Sequence, residues 1–179
     1  MQEEIVVKAP TTEALTPAQI TQKAEDLGVT KTEMSFGRSF ALSIMAGAFI
    51  AMGAMFFSLV VGDPALPFAI QRVLGGFLFC LGLILVVVAG AHSSRHSPDI
   101  RLIVMTAASK RIKWSAVWKN WIVVFFGNFL GALVIVGLVF LSDMSAMNGG
   151  QVGQTMVSVA AGKMHADWLV LFAKGIMCN

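Results

Sequence analysis

His92 and His96 stand four residues apart, a spacing that on a helix would turn both imidazoles to one face and could hold a metal. Their surroundings argue against it. Pro98 with Ser93, Ser94 and Ser97 disfavours a regular helix, Asp99 is the only nearby carboxylate, and no cysteine is close. His92 to Arg101 is therefore expected to be a polar loop with no metal. No nucleophile stands beside a base and no glycine loop is spaced for phosphate, so no catalytic residue, cofactor or enzymatic activity is expected. Cys80 falls inside an apolar stretch and Cys178 beside the last residue, which implies no disulfide framework. Asn128 remains, a strongly polar side chain in the middle of an apolar run. An amide in hydrocarbon needs a partner, and an interhelical hydrogen bond is favoured over a substrate contact.

The elements that must position these groups follow from composition. Hydrophobic residues make up 56% of the chain and charged residues 13%, too few to cover the surface of a soluble domain. No ionisable residue lies between Arg38 and Asp63, from Val73 to Ala91, or from Asn120 to Ser142. Each stretch approaches the ~20 residues that cross ~30 Å of hydrocarbon at ~1.5 Å per residue. The chain is read as an all-α integral membrane protein with transmembrane helices at about 40–61, 70–91 and 120–141. A further apolar run begins at Trp168 and contains Lys174; it is expected to be the start of an incomplete fourth span at 168–179. Helix carbonyls left open in lipid are costly, so the chain is expected to be a truncated or partial product.

Within the spans, Gly47, Gly53, Gly75, Gly76, Gly82, Gly127 and Gly131 are small enough to let helices approach closely. Asp63-Pro64 is expected to end the first span with a turn. Trp114, Trp118 and Trp121 are expected to form an interfacial belt at the start of the third.

The net charge of +3 is spread over loops rather than gathered in a stripe, which excludes a nucleic-acid footprint. It does orient the chain. Lys8, Lys23, Lys31 and Arg38 precede the first span, and Lys110, Arg111, Lys113 and Lys119 lie between the second and third. The segments Gly62 to Arg72 and Asp143 to Lys163 hold one cation each. Positive residues stay inside, so the N-terminus is expected to be cytoplasmic in a bacterial inner membrane. Residues 1–37 show no signal peptide and are read as a cytoplasmic segment, with 38–179 as a partial channel domain. Thr16-Pro17 is a helix start, and Ile20, Ala24 and Leu27 share a face of the short amphipathic helix that follows. A solvated tail is the default expectation for it, and a helix packed under the membrane domain the alternative.

Ala46 to Ala51, Gly75-Gly76-Phe77 with Leu81 to Leu85, Lys119-Asn120-Trp121 with Phe126 to Ala132, and Gly175 to Asn179 together resemble the successive signatures of the formate–nitrite transporter family. Thr16-Pro17-Ala18 and Ala24 to Val29 are similar to the family's cytoplasmic helix. Each piece alone is common apolar sequence; as an ordered set covering nearly the whole chain they are specific. The resemblance implies a six-span, aquaporin-like fold assembled as a pentamer, each subunit with its own pore. This chain would hold the first three spans and the start of the fourth, without the family's central pore histidine.

The resemblance also assigns residues. Phe79 and Leu83, one turn apart, correspond to an outer pore constriction, with ordinary lipid or core packing as the alternative. Lys163 matches a lysine whose field draws anions toward the pore, with a snorkelling interfacial lysine as the alternative. The family breaks its second span with a loop reading roughly Glu-Leu-Phe-Thr-Gly, where this chain has His92 to Arg101. Codons can be chosen for His92 to Arg95 that give Leu-Phe-Thr in a shifted frame, and for Arg95 to Ile100 that give Gly-Thr-Ala-Leu-Ile in another. A frameshift is therefore the expected origin of this stretch. The expected function is transport of a small monovalent anion across the lipid bilayer, formate first, with nitrite as the alternative and proton coupling compatible with either. A non-conducting structural or assembly subunit is the reading from a different class.

Overall fold

The computed structural model describes residues 16–88 and 100–178, all of whose regular elements are helical. In chain order they are α1 (Pro17–Thr32), α2 (Phe36–Val61), α3 (Phe68–Val88), α4 (Ile100–Ala108), α5 (Trp114–Leu141), α6 (Gln151–Met164) and α7 (Trp168–Cys178), with a 3-10 turn at Met144–Ala146 before α6. Among the described residues three helices are long and apolar enough to cross a membrane: Phe36–Val61, Phe68–Val86 and Trp114–Leu141. They start before the expected spans, because Phe36, Phe68 and Trp114 already continue the apolar helical pattern. Most of the expected loop 92–101 lies in residues 89–99, outside the described residues, as do His92 and His96; Ile100 and Arg101 open α4.

α2 is the central helix, packed on α5 along one face and on α3 along another. Both contacts depend on missing side chains. A Cβ on Gly47 would strike the Asn128 backbone, and one on Gly131 would strike the Ile44 carbonyl. On the other face, a Cβ on Gly53 would lie 2.8 Å from the Phe79 carbonyl oxygen and 3.1 Å from the Gly82 Cα. With lipid as apolar as leucine, close backbone approach gains dispersion that hydrophobic burial cannot supply. The buried serines on α2 add no unpaired group: Ser43 Oγ donates to the Ser39 carbonyl at 2.8 Å, and Ser58 Oγ to that of Ala54 at 2.9 Å. Only 17–22% of the three apolar windows is buried, so their large side chains face outward. That is the arrangement expected of helices solvated by lipid or by further apolar protein.

The turn after α2 is built by Asp63, whose Oδ1 accepts from the Ala65 N–H at 2.9 Å while its carbonyl accepts from Gln71 Nε2 at 2.6 Å. At the opposite end, α4 stops in a left-handed turn. Lys110 takes φ 61, its N–H donates to the Ala107 carbonyl at 3.0 Å, and that of Arg111 donates to the Thr106 carbonyl at 3.1 Å. This turn lets α4 fold back onto α5, where Ile103, Ala107 and Val117 form a small buried cluster.

α1 begins as its sequence suggests. The Thr16 N–H donates to Gln19 Oε1 at 2.9 Å and Thr16 Oγ1 accepts from the Gln19 N–H at 3.4 Å, a reciprocal cap. The default of a solvated tail does not hold for α1, which packs against α4. Arg111 reaches Glu25 at 3.3 Å and Asp26 at 2.7 Å, and Thr106 Oγ1 donates to the Glu25 carbonyl at 3.3 Å. Hydrogen bonding first from Asp26, then from Glu25, holds the Arg111 guanidinium above its ordinary pKa, so it stays charged at any working pH.

Candidate permeation site

Two adjoining cavities run along the α2–α5 seam and share Ala51 and Ala54. The first, of about 650 Å³, is lined from α2 by Gly47, Ile50, Ala51 and Ala54, positions three and four apart on one helical face. From α5 it receives Trp121, Phe125, Asn128 and Phe129. The second, of about 380 Å³, lies between α2, α5 and α6 and is lined by Met55, Ser58, Ile135, Val139, Met156 and Lys163 among others.

Among the described residues Lys163 is the sole ionisable residue on either wall. It stands in the last turn of α6, where the helix's negative end favours a cation. α6 itself is anchored by Val152, only 2% exposed, and by Gly62, whose added Cβ would lie 3.2 Å from both Thr155 Oγ1 and the Val152 Cα. Asn148 Nδ2 donates to the Gly62 carbonyl at 3.4 Å, tying the turn before α6 to the end of α2. No ion pair neutralises Lys163 among the described residues. Its ammonium therefore gives this apolar cavity a positive field, which attracts anions.

Asn128 is brought to the α2–α5 contact by its backbone, which presses on Gly47. The interhelical hydrogen bond expected of it is not made, because the close approach at Gly47 brings backbone rather than a polar side chain to it. Its Oδ1 is buried without a hydrogen-bond partner, as is Trp121 Nε1 on the same cavity wall. Phe79 and Leu83 sit one turn apart on α3. Phe79 meets Phe57 edge-on at 6.5 Å, whereas Leu83 is 57% exposed. The structure thus brings Asn128 and Lys163 to one seam and leaves Phe79 and Leu83 on α3, away from both cavities. Sequence reasoning missed α6, treating Asp143 to Lys163 as an outward segment; its turn glycines Gly149 and Gly150, both at positive φ, were the available signal for a helix start at Gln151. It also missed the unpaired Trp121 nitrogen, which no sequence pattern encodes.

The described residues thus form an all-helical bundle with three helices long and apolar enough to cross a membrane and an apolar seam marked by Lys163. Comparison with known proteins makes this specific: the formate/nitrite transporter family model matches residues 18–179, and the chain belongs to that family. The formate channel FocA of Escherichia coli (strain K12) is 37% identical over 166 residues, covering 92% of this chain and 57% of that protein. FocA of Haemophilus influenzae is 34% identical over 167 residues, covering 93% and 58%. A solved structure described as a pentameric formate channel with formate bound superposes with a TM-score of 0.69 at 34% identity, over 80% of this chain and 56% of that one. The chain therefore spans less than two thirds of the length of these relatives.

Proposed function

We propose that this chain forms part of a channel that conducts formate across the bacterial inner membrane, as a homo-pentamer with a cytoplasmic N-terminus. One observation carries the reading: among the described residues, an apolar cavity at the α2–α5–α6 seam has a lysine as its only ionisable wall residue. A monovalent anion entering an apolar constriction loses hydration, and a nearby positive charge offsets part of that cost without binding so tightly that release stalls. Lys163 supplies that charge. Phe79 and Leu83, the outer constriction that the family resemblance implies, stand on α3 and line neither seam cavity. In this reading they act on a separate part of the path, while Asn128 serves the close α2–α5 packing. The relatives named formate channels and the formate-bound structural neighbour support formate over nitrite. The sparse cations of the Gly62–Arg72 and Asp143–Lys163 segments support the orientation.

The test is formate uptake into proteoliposomes by the protein assayed at the length of its relatives, with nitrite as competitor. Formate flux that nitrite inhibits weakly is the expected result. Flux of nitrite exceeding that of formate would reassign the substrate, and no anion flux at all would leave a structural subunit.

A further inference from the structure

We propose that the elbow between α4 and α5 and the first two turns of α5 bind an anionic phospholipid of the bilayer. The headgroup would lie against Lys110 and Lys113, and the glycerol backbone against Trp114, Trp118 and Trp121.

The electrostatic half of the site is net positive. α5 begins after Lys113 with no side-chain cap and no acidic residue in its first turn, so the positive end of a 28-residue helix meets a lysine instead of an anion. Lys110 is exposed and fixed at φ 61 by the turn that ends α4. Glu25 and Asp26 both pair with Arg111 between the two lysines, so Lys110, Arg111 and Lys113 stand against two carboxylates and the elbow keeps a net positive charge. Two exposed ammonium groups and a bare helix N-terminus thus share one elbow.

The apolar half adjoins it directly. Trp114 is 55% and Trp118 60% exposed, one turn apart, and Trp118 meets the Trp121 ring edge-on at 5.2 Å. Trp121 Nε1 is buried with no acceptor and stands on the wall of the cavity of about 650 Å³. The exposed indoles of Trp114 and Trp118, apolar in body with a polar N–H, suit the level of lipid ester carbonyls. A free anion would serve the lysines and leave the tryptophan face bare. A zwitterionic lipid would cover the tryptophans with no net charge for the lysines. An anionic phospholipid satisfies both.

Tryptophan quenching by brominated lipids tests this, because three of the four tryptophans lie at the site. The protein is reconstituted in mixtures of phosphatidylcholine and phosphatidylglycerol, with one or the other brominated. Brominated phosphatidylglycerol is expected to quench as if it associated about 5-fold or more strongly than phosphatidylcholine, a preference that falls in high salt. The pair Lys110→Gln and Lys113→Gln should bring the two lipids level, while Lys110→Arg with Lys113→Arg should keep the preference, which separates charge from folding damage. Equal quenching by the two lipids in the unsubstituted protein would overturn the proposal. So would a preference untouched by the glutamine pair, or one abolished by inorganic phosphate at matched ionic strength, which would mark a free-anion site.

Discussion

Gly47 on α2 lies so close to the backbone of Asn128 on α5 that no side chain fits between them. The contact sets the spacing of the central helix pair, and with it the width of the seam that holds both cavities. Gly47→Val should therefore destabilise the protein by about 1–3 kcal/mol, the usual cost of overpacking a filled contact. Gly76 provides the control, since a Cβ there meets nothing within 4 Å. Gly76→Ala should leave stability unchanged or slightly raised, because alanine is the better helix former. Thermal unfolding in detergent measures both; equal midpoints for the two variants would contradict the close approach.

Arg111 fastens α1 to the membrane domain through Glu25 and Asp26, residues 86 and 85 positions away in sequence. Arg111→Ala should loosen α1 by removing both ion pairs that Arg111 makes with it. Faster proteolysis at Lys23 is the expected readout, with little change elsewhere. Because the pairs are partly exposed, high salt should speed cleavage of the unsubstituted protein in the same direction. Identical cleavage rates for the two proteins would show that packing on α4 alone holds the helix.

The crossings were legible because length and apolarity are properties of a single segment. α2, α3 and α5 each overlap the expected spans, and the turn at Asp63-Pro64 falls where proline and aspartate place it. The start of α1 was legible for the same local reason, since Thr16, Pro17 and Gln19 make a cap among themselves. What escaped the sequence depends on pairs far apart in the chain. The docking of α1 needs Arg111 to meet Glu25 and Asp26, and nothing in one sequence pairs them. α6 is only moderately apolar, with Gln151, Gln154, Thr155 and Ser158 diluting its pattern, so it read as a loop. For the site, Lys163 carried a recognisable position but not its cavity, which is formed by residues of α2 and α5 far earlier in the chain.

Topology offers a direct check on the orientation. A reporter fused after Lys113 should be cytoplasmic and one fused after Asn148 periplasmic, because the first lies in a cation-rich segment and the second in a cation-poor one. α5 separates the two points by a single crossing, so they must report opposite sides. Reversed labelling would invert the orientation and move Lys163 to the cytoplasmic side.

Lys163 gives the most discriminating prediction about function. If its ammonium concentrates anions at the cavity, Lys163→Ala should lower formate flux most when formate is dilute and least when it saturates the pore. A drop of about 3- to 10-fold at low ionic strength is in the range of electrostatic steering by a focused charge. Salt should erase the difference, because the Debye length falls from about 10 Å at 0.1 M to about 3 Å at 1 M. Lys163→Arg keeps the charge and should retain most of the flux, whereas Lys163→Gln keeps the approximate length and should not. These two variants separate charge from packing against Val159 and Ala160, which line the same wall. The assay is uptake into proteoliposomes by the protein at its relatives' length, with membrane insertion and oligomer size checked in parallel. Flux from Lys163→Ala equal to that of the unsubstituted protein at low salt would make Lys163 an interfacial lysine whose stem covers apolar surface, and the field of the seam would have to come from elsewhere.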